Sequence, residues 1–536
     1  MEVNVFYLGI IGAIIGAVYY LLSKKQGYFH EKPIPSMPVK PFLGSIADLM
    51  LQRTTFYQFV KTSYDKYAGV KVFGMFDLMT PVYVVRDPEL IKQVAVKDFD
   101  HFTDHLPVFG NSNYDHPNLI SGKSLFSLTG QRWKTMRATL SPAFTGSKMR
   151  YMFELIVECT QRAAKYYEEE AAKKGAHVYE MKDVFSRFTN DVIATCAFGL
   201  QVESSRDRSN EFFVNGKKML DFSRPSVMLR FFGHRVIPAL MAYFGWDVID
   251  EQQNTYFKTL ILNAIKEREQ RNIVRPDMIN LLIQAKKGTL KHQKENDQLP
   301  EGFATVQESE VVKSTDTTVM TDVEMVAQCL IFFLAGLDTV STTLLYTAYE
   351  LTINQTIQKK LHAEILETRS SLGGKPLTYD AVQKMKYMDM VISEVLRMWP
   401  PVPSIDRDCT KDYVMDEGNG NKYTIEKGAA LWFPIHGLHH DPKYFPKPDM
   451  FDPERFSDER KGSINAGAYI PFGIGPRNCI GSRFALAEVK TILYYMLGSF
   501  SFERCSKTEV PPTVKTGFDV IPLNGMHIQF KPRTEA

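Results

Sequence analysis

The chain has 536 residues, with 64 basic and 61 acidic side chains and a net charge of +3, a balance that argues against a nucleic-acid binder at the level of the whole chain. Apolar residues at 44% suffice for a sizeable core. The six cysteines, Cys159, Cys196, Cys329, Cys409, Cys479 and Cys505, are scattered without a CxxC, which speaks against a disulfide scaffold or a knuckle-type zinc site and puts the globular part in a reducing compartment.

Val5 to Leu22 reads VFYLGIIGAIIGAVYYLL, uncharged, and Ser23-Lys24-Lys25 follows. As a helix this stretch spans about 27 Å, close to a bilayer core, and predicts a transmembrane anchor over residues 1–25. A cleaved signal peptide is the alternative. Against it stand the acidic Glu2, the length of the apolar stretch and the lack of a clear small-residue cleavage site. The basic pair on the C-terminal side places the body of the protein in the cytosol. A mitochondrial presequence would be amphipathic and arginine-rich, and this segment is neither. Pro33, Pro35, Pro38 and Pro41 then block helix and predict a semi-rigid hinge over residues 26–45.

The middle of the chain reads as mainly helical. Residues 150–174 carry apolar residues at helical spacing, and residues 186–199 read as a buried helix ending at Gly199. Residues 223–246 are apolar and aromatic but broken by Pro225, Gly233 and Pro238; they fit a buried loop or a second, shallow membrane contact. Residues 287–322 are polar and turn-rich and predict an exposed connection.

Residues 321–351, TDVEMVAQCLIFFLAGLDTVSTTLLYTAYEL, could form a second membrane helix. Asp338 near the middle would cost about 2.5–3.5 kcal/mol in a bilayer, and Gln328, Thr339, Ser341, Thr342 and Thr343 add polarity, so a buried central helix fits better. Gly336 costs about 1 kcal/mol there. With Asp338 and Thr339 it suggests a local opening faced by polar groups; a tolerated glycine beside surface polar residues is the alternative. Glu394 and Arg397 sit at i, i+3 on a helix that stops at Pro400-Pro401. By themselves they read as a surface ion pair worth a few tenths of a kcal/mol. His436, His439 and His440 lack an HExxH pattern, which argues against zinc.

Residues 471–488, PFGIGPRNCIGSRFALAE, place Cys479 in a glycine-rich turn before a helix. A dinucleotide loop should follow a strand early in a domain, and no GK[ST] is present. A redox pair needs a second nearby cysteine, and zinc needs further ligands. A lone thiolate at a helix N-terminus remains, its charge favoured by backbone N–H groups and the helix dipole. Phe472, Gly475, Arg477, Cys479 and Gly481 match FxxGxRxCxG, AGLDT spans 335–339, Glu394 and Arg397 form ExxR, PERF supplies Arg455, and WKTMR supplies Trp133 and Arg137. In this order and spacing the chain resembles the cytochromes P450 over its whole length. SPAFTGSKMR and TNDVIATCAFG resemble insect microsomal members of the detoxification clan.

The resemblance implies a mainly α fold with small β-sheets, with residues 46–536 forming one catalytic domain behind the anchor. Cys479 would be the axial thiolate of a b-type haem, in a loop that also supplies Phe472, Gly475 and Gly481. Arg477, Trp133, Arg137 and Arg407 would face its propionates. Glu394, Arg397 and Arg455 would form a buried cluster instead of a surface pair. Asp338 and Thr339 would order water and relay protons to dioxygen. Family position puts Val108, Phe109, Phe332, Phe333, Ala335, Val402, Ile405 and Phe518 on the substrate pocket. The implied activity is insertion of one oxygen atom into lipophilic small molecules such as xenobiotics, insecticides or plant toxins. Electrons would come from NADPH–cytochrome P450 reductase, docked near Arg132, Lys134 and Lys461, with cytochrome b5 as a further partner, at the cytosolic face of the endoplasmic reticulum membrane. Two alternatives are a haem-thiolate isomerase or dehydratase acting on peroxides without a reductase, and a non-catalytic haem sensor. The intact AGLDT argues against the first.

Overall fold

A computed structural model describes residues 27–107, 110, 116–219, 221, 224–275, 277–288, 302–305 and 320–533. The expected anchor over residues 1–25, Val108 and Phe109 lie outside them. The helices that frame the site are, in chain order, α1 (Phe56–Lys66), α2 (Gly130–Leu140), α3 (Gly146–Lys174), α4 (Met181–Phe198), α5 (Pro225–Val236), α6 (Pro238–Tyr243), α7 (Glu251–Arg271), α8 (Met278–Lys286), α9 (Asp322–Ile353), α10 (Gln355–Leu372), α11 (Lys386–Met398) and α12 (Ser482–Ser499). The strands are β1 (Val72–Asp77), β2 (Thr80–Val85), β3 (His177–Glu180), β4 (Ile405–Asp408), β5 (Tyr413–Asp416), β6 (Lys422–Ile425), β7 (Ala430–Phe433), β8 (Phe500–Glu503) and β9 (His527–Pro532). They make a four-stranded sheet ordered β1-β2-β7-β4, a three-stranded sheet β3-β9-β8 and the hairpin β5-β6.

Local chemistry sets the helix boundaries. Thr55 with Gln58, and Thr321 with Glu324, form reciprocal capping boxes that start α1 and α9. Gly199 ends α4 in the left-handed conformation, φ +70°, where a Cβ is unfavourable.

Among the described residues α9 is the one helix long and apolar enough to cross a membrane. It lies instead in the centre of the protein, packed most extensively on α4. Its polar groups find partners there: Gln328 accepts from the Leu125 amide at 2.7 Å and donates to the Lys123 carbonyl at 2.9 Å. The first half of α9, to Leu337, belongs to a core shared with α2, α4, α7 and α8. From Val340 onward it belongs to a second core with α3, α11 and α12. Asp338 and Thr339 fall at the change-over. At Gly336 the two helices approach closely: a Cβ there would stand 2.8 Å from Ile193 Cδ1 of α4.

The proline-rich segment is not a free spacer over its described part. Phe29 and Ile34 are buried, the Met37 amide donates to the Gly74 carbonyl, and the Gly74 amide donates to the Pro35 carbonyl, each at 2.8 Å. Lys32 adds an ion pair to Glu426 at 2.5 Å. Residues 224–246 resolve into α5 and α6, with Leu229, Tyr243, Phe244 and Trp246 exposed rather than buried.

Candidate active site

The cysteine loop is a series of tight turns. The Gly473 amide donates to the Ile470 carbonyl, the Asn478 amide to Gly475, and the Cys479 amide to Phe472, at 3.0, 3.0 and 2.9 Å. Gly473 and Gly475 have φ of +78° and +74°. At Gly475 a Cβ would also stand 1.9 Å from the Ala95 carbonyl oxygen, so only glycine fits. Burial raises the Cys479 pKa, and the Gly481 amide and the Arg137 guanidinium oppose it. Yet Cys479 is exposed by surface area. The thiol is therefore accessible to a bound group. The Cβ position of Gly481 is open as well, its nearest neighbour being the Phe144 ring at 3.9 Å.

Phe144 links this loop to α9, since its ring meets Phe332 edge-on at 5.5 Å. Along the same face of α9, Ala335 is exposed in mid-helix, and Phe332 and Thr339 are partly exposed. The Thr339 hydroxyl donates back to the Ala335 carbonyl at 2.6 Å. Phe333, expected on the pocket, points elsewhere. It is fully buried, with Phe198, Phe212 and Phe257 at 5.8, 5.3 and 5.2 Å. One residue along a helix turns the side chain by about 100°, which sends Phe332 and Phe333 to different surroundings. Ile405 of β4 approaches the loop at Gly473; Val402 is exposed and Phe518 packs against Phe56.

The Asp338 carboxylate is held by Lys182, in the first turn of α4, at 2.7 Å. The same ammonium donates to Ser341 and Thr342 at 2.9 and 2.8 Å. Sequence reasoning missed Lys182: the pair is 156 residues apart and no motif joins them.

The basic residues collect at one wall. Arg407 on β4 is buried, and desolvation lowers its pKa to about 10. Its two terminal nitrogens donate to the Asp406 and Ile474 carbonyls at 2.6 and 3.2 Å. Its Nε is buried without a hydrogen-bond partner among the described residues. Arg477 donates to the Thr103 and Leu128 carbonyls at 2.7 and 2.6 Å, faces Asp104 at 3.4 Å and stacks on Trp133 at 4.1 Å. Arg137 clamps Asn478, beside the cysteine, by two bonds of 2.9 Å. An accessible thiol, an open glycine face and a buried guanidinium nitrogen without a partner among the described residues together fit a flat cofactor with acidic side chains.

Beneath the loop, Arg397 grips Glu394 at 2.7 and 2.9 Å, and Arg455 reaches the same carboxylate at 3.2 Å. All three are buried, so the surface-pair reading fails. Arg397 also donates to the His439 and Pro448 carbonyls at 2.8 and 2.7 Å. His439 accepts from the Ile470 amide through Nε2 at 3.1 Å, which leaves Nδ1 to donate to the Arg397 carbonyl at 3.2 Å. Burial holds its pKa well below the usual histidine range. His439 thus ties α11 to the segment that leads into the cysteine loop.

The family model for cytochrome P450 matches residues 34–529. The chain is 41% identical to "Probable cytochrome P450 9f2" of Drosophila melanogaster, over 97% of this chain and 98% of that protein. It is 40% identical to "Cytochrome P450 9e2" of Blattella germanica over 98% and 97%, and 33% identical to "Cytochrome P450 6k1" of the same species over 96% and 94%. These matches run through both cores and the cysteine loop, and the chain belongs to the cytochrome P450 family of monooxygenases, which bind haem through a cysteine thiolate.

Proposed function

We propose that this chain is a membrane-anchored monooxygenase that inserts one atom of dioxygen into lipophilic small molecules, plant toxins and insecticides among them. Electrons come from NADPH through a separate reductase, with cytochrome b5 as a second donor. The observation that carries this reading is that the accessible Cys479 loop and the Phe332–Ala335–Thr339 face of α9 are linked through Phe144, which neighbours Gly481 on one side and Phe332 on the other.

Cys479 would hold the haem through its thiolate, and haem bound there would supply the oxygen-activating iron chemistry that a thiolate ligand favours. The Gly481 amide and the Arg137 guanidinium stabilise the thiolate. Arg407, with Arg477, Arg137 and Trp133 beside it, forms the wall that receives the propionates, through charge-assisted bonds in the case of the arginines. Phe332, Ala335 and Ile405 give the substrate an apolar surface. Thr339 supplies the hydroxyl that positions a water and passes a proton. Asp338 supports that path from its ion pair with Lys182. Residues 1–25 anchor the chain in the endoplasmic reticulum membrane with the body in the cytosol, and the exposed apolar residues of α5 and α6 give a second contact. Arg132, 58% exposed and 3.5 Å from Glu324, offers the reductase more surface than Lys134, which is 29% exposed and held by Asp100 at 2.8 Å. Lys461 is paired with Asp458.

The test is a reductase-coupled assay on a panel of lipophilic toxins, with Thr339→Val beside the natural protein. Haem content and the red-shifted reduced carbon monoxide band should be unchanged. Product per NADPH should fall about ten- to hundredfold, the lower part of the range for general acid assistance, with the difference recovered as hydrogen peroxide. An unchanged ratio would remove Thr339 from proton delivery and favour the peroxide-isomerase alternative.

A further inference from the structure

Within the polar connection that joins α8 to α9, residues 302–305 are packed against the protein. Ala304 is 4% exposed and joins the core built on α11 and α12. The Phe303 ring lies 5.1 Å from Phe456 and 5.4 Å from Tyr469. Its amide donates to Asp389 Oδ2 of α11 at 2.8 Å, and the Thr305 amide closes a turn onto the Gly302 carbonyl at 2.9 Å. A Cβ on Gly302 would stand 2.1 Å from Asp389 Oδ1, so a larger residue there would displace that carboxylate. That oxygen is 3.0 Å from Lys490 Nζ, a buried ammonium on α12, the helix that begins beside Cys479.

The niche that receives Phe303 is built from residues that hold the cysteine loop. Phe456 follows Arg455 of the buried charge cluster, and its ring lies 5.0 Å from Tyr469. Tyr469 stands two residues before the loop opens at Pro471; its hydroxyl donates to the Ser393 carbonyl at 2.9 Å and its ring stacks on His439 at 5.2 Å. His439 in turn accepts the Ile470 amide. Aromatic pairs of this kind contribute beyond their area, and a side chain seated on Tyr469 limits the rotamers that would let residues 469–472 shift.

We infer that Phe303 is a positioning residue for the cysteine loop, an aromatic wedge delivered by the α8–α9 connection that fixes Tyr469 and through it the segment leading to Cys479. The role rests on Cys479 being the haem ligand; the packing does not. The consequence is that a connection remote in sequence from the loop tunes the stability of its thiolate ligation.

The experiment compares Phe303→Ala and Phe303→Tyr in the haem-loaded full chain in detergent. Amide hydrogen exchange at Ile470 and Cys479 should rise at least tenfold in Phe303→Ala, with α3 unchanged, and return to the natural level in Phe303→Tyr, which keeps the ring. The reduced carbon monoxide complex of Phe303→Ala should lose its red-shifted band severalfold faster. If Phe303→Ala does not accumulate with haem, Phe303→Leu replaces it, with intermediate values expected. Unchanged exchange at Ile470 and Cys479 overturns the wedge, as does a uniform rise that includes α3 and is not reversed by tyrosine. Localised loosening with an unaffected band would leave the packing in place but overturn its influence on ligation, while the assignment of Cys479 as ligand is checked separately by the band's loss in Cys479→Ser.

Discussion

Burial acts in opposite directions on the two kinds of base near the loop. Arg407 and Arg477 have pKa values lowered by desolvation to about 10 and about 9, still above neutrality, so both enter the site as cations. The histidines do not. Burial, and then the neighbouring Arg397, lowers the His440 pKa to about 3, and His436 and His439 are pushed well below their usual range. The sign follows from proton uptake. Between the ordinary value near 6.5 and about 3, His440 binds a proton when the chain unfolds and stays neutral when it is folded. Its contribution to stability is therefore intact above about pH 6.5 and is lost as the pH falls. His440→Asn removes this linkage. Denaturant unfolding at pH 6.5, 5.5 and 4.5 should show the natural protein losing about 1 kcal/mol more than the variant over the first pH unit and nearly 1.4 kcal/mol, the limit for one proton, over the second. Parallel pH dependences would mean that His440 is protonated in the folded protein.

At the scale of elements, α11 is fixed to the loops around it by charge as well as by apolar packing. Glu394 accepts from Arg397, Arg455 and the Asp452 amide at 2.9 Å, while the two guanidinium groups bind carbonyls of residues 439 and 446–448. Arg397→Ala leaves a fully buried carboxylate with only Arg455 opposite, a loss of about 3–5 kcal/mol. Haem-loaded protein should be reduced to a trace, measured by the carbon monoxide difference spectrum per milligram. Normal haem content would mean that the cluster adds little. Much at this scale is legible in sequence because it is local: Gly199 ends α4, Pro400 follows α11, and the glycines of the loop announce positive φ. Other features depend on partners brought together by the fold. Which face of α9 looks inward, so that Phe332 and Phe333 part company, is set by Phe144 on one side and the Phe198–Phe257 cluster on the other. Lys182 and the Phe303 niche likewise join segments that no local spacing connects.

For the whole molecule, the sheet β1-β2-β7-β4 brings the N-terminal segment and α5 together on one strand. The chain leaving the expected anchor docks on β1 through Pro35 and Met37, and Gly44 fits against the Phe76 carbonyl where a Cβ would stand at 2.5 Å. The helix α5 is pinned to the same strand by a buried ion pair, Arg235 to Asp77 at 2.9 Å, and by Phe232 in the core beneath. Beyond that pin the apolar side chains are outside: Leu229 is 75% exposed and Tyr243 79%, with Ile237, Leu240, Phe244 and Trp246 near half. Exposed apolar residues so grouped mark an interaction surface, and their attachment to the sheet that receives the N-terminal segment suits one bilayer contacting both. Deleting residues 1–25 should therefore weaken membrane association without abolishing it. Adding Leu240→Asp and Tyr243→Asp to that deletion should abolish the remainder, since both residues are exposed and neither change disturbs the buried Arg235–Asp77 pin. Flotation with phospholipid vesicles measures the bound fraction, and the carbon monoxide spectrum confirms that the soluble form keeps its haem. A deletion variant that already stays wholly in solution would restrict membrane contact to the anchor and leave the exposed face of α5 and α6 to another partner.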